Sequence, residues 1–333
     1  MAEVRSIGDE CLPRWYGVRD VQQEPPADRV ALSRAGITNL SRIISIRDGG
    51  RPELFYARLD LFVDLDRDQG GVHMSRFSEV VEALAEGLTC EPFNDIESLA
   101  GLMAERVLET QGAVRAEVRV RAQTPAMKVT PVSGRPTQQL YTLIGIGAAT
   151  AERTREVVGV EVNGLTACPC AQDLVRAQSR GLLREDGFSE DECDRILRIV
   201  PGASHNQRGR GTLMLGAHPG LRAEAMVRRV ERSMSSEIYE LLKRPDELYV
   251  VEKAHRNPRF VEDAVRAALR IVVDERPDLP GDLFVLSRQE NFEGIHEHNA
   301  FAERYGTLDE VRSEFAGGQR QPHHTTLEEW LFG

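Results

Sequence analysis

Residues 54–65 place Phe55, Ala57, Leu59, Leu61 and Val63 at every second position. Only an extended chain brings such residues to one face, so the run predicts a half-buried β-strand. Residues 39–46 form a strand before it, across a turn at Asp48-Gly49-Gly50-Arg51-Pro52. Val114, Ala116, Val118 and Val120 alternate in a third strand over 114–123, and 139–148 reads as a fourth. Two helices separate the pairs. Ser75 can cap one that runs to about Gly87. Asn94 or Asp95 caps the other, which presents Leu99, Leu102, Met103 and Val107 on one face and stops at Gly112.

The second half repeats this order. Strands are expected at 157–165, 211–217 and 283–289 with a last paired segment near 299–305, and helices at 221–242 and 260–274. A charged, helical insertion covers 171–204. The order predicts an α+β fold with an antiparallel sheet, in which a strand–strand–helix–helix–strand–strand module occurs twice. The expected units are an arm (1–28), a first module (29–155), a second module (156–316) and a polar, peripheral tail (317–333).

Composition narrows the function classes. Apolar residues make up 41% and charged residues 29%, enough for a sizeable core in a globular chain. The net charge of -11 argues against a broad nucleic-acid surface, while a local basic pocket for a phosphorylated small molecule stays open. No apolar run approaches the roughly 20 residues of a membrane span. Residues 1–20 lack the apolar stretch of a secretory signal. Five cysteines, odd in number and sparse, argue against a disulfide framework. Together these place the expected site of action in the cytoplasm.

Cys168-Pro169-Cys170 lies between the strand at 157–165 and a helix-compatible run. A thiol there sits in the field of unpaired N–H groups, which favours the thiolate that binds metals and attacks electrophiles. The spacing fits neither a zinc ribbon nor a thioredoxin motif, and two small buried hydrophobes remain an equal reading. His205 stands in His-Asn-Gln-Arg, where Arg208 and Arg210 could hold a phosphate. Glu237 falls at the edge of the apolar stripe of the 221–242 helix, solvated or buried with a partner. Glu252 is an ordinary solvated carboxylate or an acceptor for N–H donors on a planar ring. Glu293, His296 and His298 are the densest cluster: a helix would align the first two, an extended chain the last two. Imidazole, carboxylate and thiolate together suit zinc or iron.

These residues carry a family likeness. The chain resembles the type IB GTP cyclohydrolases, in their bacterial folate-pathway and archaeal methanopterin-pathway forms. The matching pieces include Gly36-Ile37-Thr38-Asn39, Gly71-Val72-His73-Met74-Ser75-Arg76, Thr166-Ala167-Cys168-Pro169-Cys170 and His205-Asn206-Gln207-Arg208. They continue through Ser236-Glu237-Ile238-Tyr239, Glu252-Lys253-Ala254, Asn257-Pro258-Arg259-Phe260 and Glu290-Asn291-Phe292-Glu293-Gly294-Ile295-His296-Glu297-His298.

The resemblance implies a tandem tunnelling fold, association into homo-oligomers with active sites between subunits, and GTP as substrate. It implies hydrolytic opening of the guanine imidazole ring, loss of formate and closure to a dihydroneopterin phosphate. It further implies one divalent metal, iron(II) foremost with manganese or zinc as alternatives, held by Cys168, His205 and Glu237. Glu293, His296 and His298 would act beside it, with Cys168, as catalytic groups. Glu252 would anchor the guanine edge, and Lys128 matches a family stretch that serves substrate binding or packing, with Arg208 the phosphate-binding candidate given above.

In the bacterial form the Cys–Pro–Cys and His–Asn–Gln–Arg motifs lie close together; here the insertion separates them, as in the archaeal form. The archaeal enzymes make a cyclic phosphate and the bacterial ones a triphosphate, so both products stay open. A purine- or pterin-binding protein without catalysis, and a different metallohydrolase, are the rival readings.

Overall fold

The computed structural model describes residues 21–48, 51–88, 95–318 and 322–333. Most of the expected arm, with Asn94 and Gly49-Gly50 of the first turn, lies outside these.

One antiparallel sheet organises the chain. Its strands are β1 (Leu32–Asp48), β2 (Arg51–Leu65), β3 (Arg115–Val129), β4 (Pro136–Thr150), β5 (Thr154–Ala167), β6 (Asn206–Gly216), β7 (Ser236–Glu237), β8 (Phe284–Asn291) and β9 (Ala300–Thr307). They lie in the order β1-β2-β3-β4-β5-β6-β8-β9, with β7 paired to β5. Phe55, Ala57, Leu59, Leu61 and Val63 are all buried, as their alternation requires.

The helices α1 (Met74–Leu88) and α2 (Ile96–Gln111) follow β2. Asp95 caps α2 by accepting the Ser98 N–H, and Gly112 ends it at φ 65°, a left-handed conformation that glycine adopts without strain. α2 lies directly on β4. A Cβ at Gly147 would come within 2.3 Å of the Ala100 backbone, and one at Gly145 within 2.5 Å of the Ile96 carbonyl.

From Leu143 to Ala149, β4 is buried on both sides. Leu143 and Ala149 join the core beneath the helices, while Ile144, Ile146 and Ala148 join a second cluster on the opposite face. That second cluster corrects the expectation of a peripheral tail. Residues Leu327–Phe332 form a helix whose Leu331 is 2% exposed and packs there with Phe284 and Met214. Trp330 Nε1 fixes it by donating to the Asp282 carbonyl at 2.9 Å.

The insertion is a helix pair, α3 (Pro169–Glu185) and α4 (Glu190–Ile199). The single helix expected over 221–242 is not formed. α5 (Ala223–Ser233) ends early and the chain enters β7. Ser233 Oγ bonds back to the Val230 carbonyl at 2.7 Å, and Ser235 Oγ accepts the Ala167 N–H at 3.1 Å. These hydroxyls compete with the helix for backbone groups and tie the segment to β5. Glu237 therefore sits on a strand opposite Gly164. A further helix, α6 (Arg244–Arg256), carries Glu252 and was not foreseen; α7 (Val261–Glu275) follows.

Candidate active site

The chain leaves β5 at Ala167 and begins α3 at Pro169, so Cys168 is the cap of that helix. Proline suits the first helical position because its missing N–H would be unpaired there anyway. Cys168 Sγ accepts the Ala171 N–H at 3.5 Å. Cys168 is half-buried and Cys170 is exposed, so the pair are not two buried hydrophobes. The β5–β6 ladder closes at Ala167 opposite Asn206. One step beyond, the Cys168 N–H donates to the His205 carbonyl at 3.1 Å, and Ser204 Oγ donates to the Cys168 carbonyl at 2.6 Å. Residues 37 positions apart by number thereby become neighbours.

Residues 292–299, between β8 and β9, close over this corner as a bend, neither helix nor strand. Both alignments considered for Glu293, His296 and His298 are thus superseded: the loop gathers all three. Glu293 Oε2 lies 3.7 Å from His205 Nδ1. The His205 and His296 rings meet edge-on with centroids 6.5 Å apart, and His296 stacks on His298 at 5.0 Å. A cavity of about 250 Å³ is lined by Cys168, His205, Gln207, Glu293, His296 and His298, with Arg259, Phe260 and Asn291 among its other walls.

The remaining candidates lie elsewhere in this chain. Glu237 does not line the cavity: its carboxylate accepts from Lys253 Nζ and from the Tyr239 hydroxyl at 3.0 Å. Burial pushes this carboxyl up, but Lys253, its backbone and Tyr239 outweigh that and hold it below the usual carboxylate range. Lys128 Nζ donates to Glu231 at 2.6 Å and to the Ile238 carbonyl at 3.2 Å, and lies 4.4 Å from the Tyr239 ring centre. It borders a separate cavity of about 630 Å³. Arg208 is exposed on β6. Glu252, half-exposed on α6, pairs with Arg256 at 2.8 Å and borders a shallow groove with Ile199 and Leu248.

Two wall residues escaped the sequence reading. Gln207 is 6% exposed and links His205, Thr166 and Glu293. Its signal is the alternation Gln207, Gly209, Gly211 on one face of β6, which begins at Asn206 rather than at the expected position 211. Arg259 is anchored through its N–H to the Ala167 carbonyl (2.9 Å) and through Nη1 to the Ser233 carbonyl (3.1 Å). Burial pushes its guanidinium down from its ordinary value, with Asp263 opposing.

Among the described residues no three His, Cys, Asp or Glu side chains are assembled as a ready metal cage. The donor chemistry nonetheless suits a divalent ion. A thiol, a carboxylate and imidazoles face one small cavity, a mixture that zinc and iron accept.

Comparison with known proteins bears on this corner. The sequence profile of the family described as type I GTP cyclohydrolase folE2 matches residues 18–302. The GTP cyclohydrolase MptA of Methanococcus aeolicus is 41% identical over 304 residues, covering 89% of this chain and 98% of that protein. The GTP cyclohydrolase MptA of Methanothermobacter thermautotrophicus is 42% identical over 317 residues, covering 92% and 97%. Among solved structures, uricase from Arthrobacter globiformis superposes with a TM-score of 0.50 at 9% identity, covering 87% of this chain and 96% of that one, a likeness of fold alone. The profile match spans the stretch that holds Cys168, His205, Glu293 and His296, and at that coverage the chain belongs to the type I GTP cyclohydrolase family.

Proposed function

We propose that the chain is a metal-dependent GTP cyclohydrolase that opens the guanine imidazole ring of GTP, releases formate and yields a dihydroneopterin phosphate. The observation that carries this reading is the convergence of Cys168, His205, Glu293 and His296 on one cavity at the end of β5 and β6. Family membership supports the reaction.

The metal would be iron(II), manganese(II) or zinc, with Cys168 and His205 as ligands; Glu237, which pairs with Lys253 outside the cavity wall, would be the third. Bound there, it supplies Lewis acidity to water beside the ring. His296, with His298 stacked behind it, is placed to move a proton to a ring nitrogen, which suits an imidazole. Glu293 lies 3.7 Å from His205 Nδ1 and shares the cavity with both histidines. Arg259 brings a partly desolvated positive charge to the same wall.

At about 250 Å³ the cavity takes a purine base rather than a whole nucleotide. Ribose and phosphates then extend beyond it, towards Arg208 or a neighbouring copy. Glu252, on α6, is not among the residues that line this chain's own cavity. Its role as guanine anchor fits a homo-oligomer in which one copy's Glu252 meets the cavity of another. The order β1-β2-α1-α2-β3-β4 supports the first of two tandem tunnelling-fold modules. The MptA relatives and the α3–α4 insertion favour the cyclic phosphate product.

Anaerobic incubation with GTP and Fe(II), Mn(II) or Zn(II), followed by formate assay and mass analysis, tests the proposal. Formate with a cyclic phosphate is expected. Formate with the triphosphate would correct the product alone. No formate with any metal would overturn the reading in favour of a purine- or pterin-binding protein.

A further inference from the structure

The imidazole of His205 has two nitrogens, and its use in the cavity depends on which carries the proton. The surrounding groups decide this. His205 Nδ1 lies 3.0 Å from Gln207 Oε1. The other end of that amide, Nε2, donates to Thr166 Oγ1 at 3.1 Å and to Glu293 Oε1 at 3.4 Å. Thr166 Oγ1 itself donates to the Gln207 main-chain carbonyl at 3.5 Å, which leaves its lone pairs to accept from the amide. Turning the amide over would point its oxygen at the Glu293 carboxylate and at a hydroxyl already committed as a donor. The orientation is therefore fixed, and an amide oxygen can only accept. His205 must supply the hydrogen from Nδ1.

We propose that Gln207 is a positioning residue: it locks His205 as the Nδ1–H tautomer and leaves Nε2 as the bare nitrogen of the site. Among the described residues the one hydrogen bond of the His205 ring is that at Nδ1, so no protein donor or acceptor opposes this assignment at Nε2. The lock is built into the core. Gln207 and Thr166 are 6% and 0% exposed, which limits the competition of water for their bonds. Glu293 Oε2, 3.7 Å from Nδ1, favours the same proton position. What Nε2 then does, as ligand to a divalent ion, rests on the cyclohydrolase reading; the tautomer does not.

The test is a long-range proton–nitrogen correlation spectrum of the metal-free full chain, labelled with ¹⁵N-histidine, at about pH 8, where an ordinary imidazole is neutral. The expected spectrum shows His205 protonated at Nδ1 and bare at Nε2. Gln207→Leu removes the acceptor and should move the proton to Nε2, and should weaken Zn(II) binding about 10- to 100-fold. Gln207→Glu keeps the acceptor and should keep the Nδ1–H form. An Nε2–H tautomer in the unaltered protein would overturn the proposal. So would an Nδ1–H tautomer in Gln207→Leu, which would assign the lock to Glu293. If Gln207→Leu fails to fold, Glu293→Gln decides: the proton should stay on Nδ1, and its move to Nε2 would assign the lock to Glu293 and overturn the proposal. Failure of the unaltered protein to bind Zn(II) would sink the metal site while leaving the tautomer result standing.

Discussion

Cys168 and His205 hold one another through the main chain: the N–H of the first donates to the carbonyl of the second at 3.1 Å. Neither side chain is needed for that bond. Cys168→Ala should therefore fold normally, lose the divalent metal and lose formate production by about a hundredfold or more. Metal content by mass spectrometry and a formate assay check both parts. Full metal content with full turnover would remove Cys168 from the site.

Lys253 governs the charge on Glu237. A carboxyl held below its ordinary value contributes stability that is present above the unfolded value and lost as pH falls through the folded one. Lys253→Met should therefore cost about 1 kcal/mol at neutral pH, and the cost should shrink in acid as Glu237 is protonated in both proteins. Urea titrations at several pH values measure it. Equal stability of the two proteins across the range would contradict the pairing.

Glu97, in the first turn of α2, shows the opposite sign. Burial, then the nearby Asp95, pushes its carboxyl up to about 8. Between the ordinary 4.5 and about 8, the folded chain holds a proton that the unfolded chain has lost, so this group lowers stability as pH rises. Glu97→Gln should remove that slope and stabilise the protein by about 1–3 kcal/mol near pH 8. A variant that is no more stable than its parent there would show the carboxylate to be compensated.

Leu331→Ala should destabilise the fold by about 2–4 kcal/mol, because the side chain is 2% exposed among Phe284, Met214 and Ile146. Thermal unfolding checks it. A loss below about 0.5 kcal/mol would mean the last helix is not docked in solution.

The strands were legible because alternation survives in any half-buried sheet, and Phe55 to Val63 needed no other information. The second helix was legible through Asp95 and Gly112, whose roles at helix ends are local. What failed was non-local. The break at Ser233 depends on Ser235 meeting Ala167, which spacing along 221–242 does not reveal. α6 was missed because Leu248 and Val251, which give it apolar character, face outward while Val250 and Ala254 face in. Cys168, His205, Glu293 and His296, which the structure brings to one cavity, stand out in the sequence through residue type, which chemistry restricts. Gln207 was overlooked because an amide has no chemistry of its own to advertise; its meaning comes from the donors and acceptors at its two ends.

The helix pair α3–α4 leaves the sheet at Cys168 and returns at His205, and its two ends are bonded to each other. It is a closed excursion. Bringing its ends together costs free energy that grows only logarithmically with the number of residues between them. A chain could lengthen, shorten or exchange everything from one end to the other without moving either anchor. The length and form of this excursion can thus change while Cys168 and His205 stay side by side.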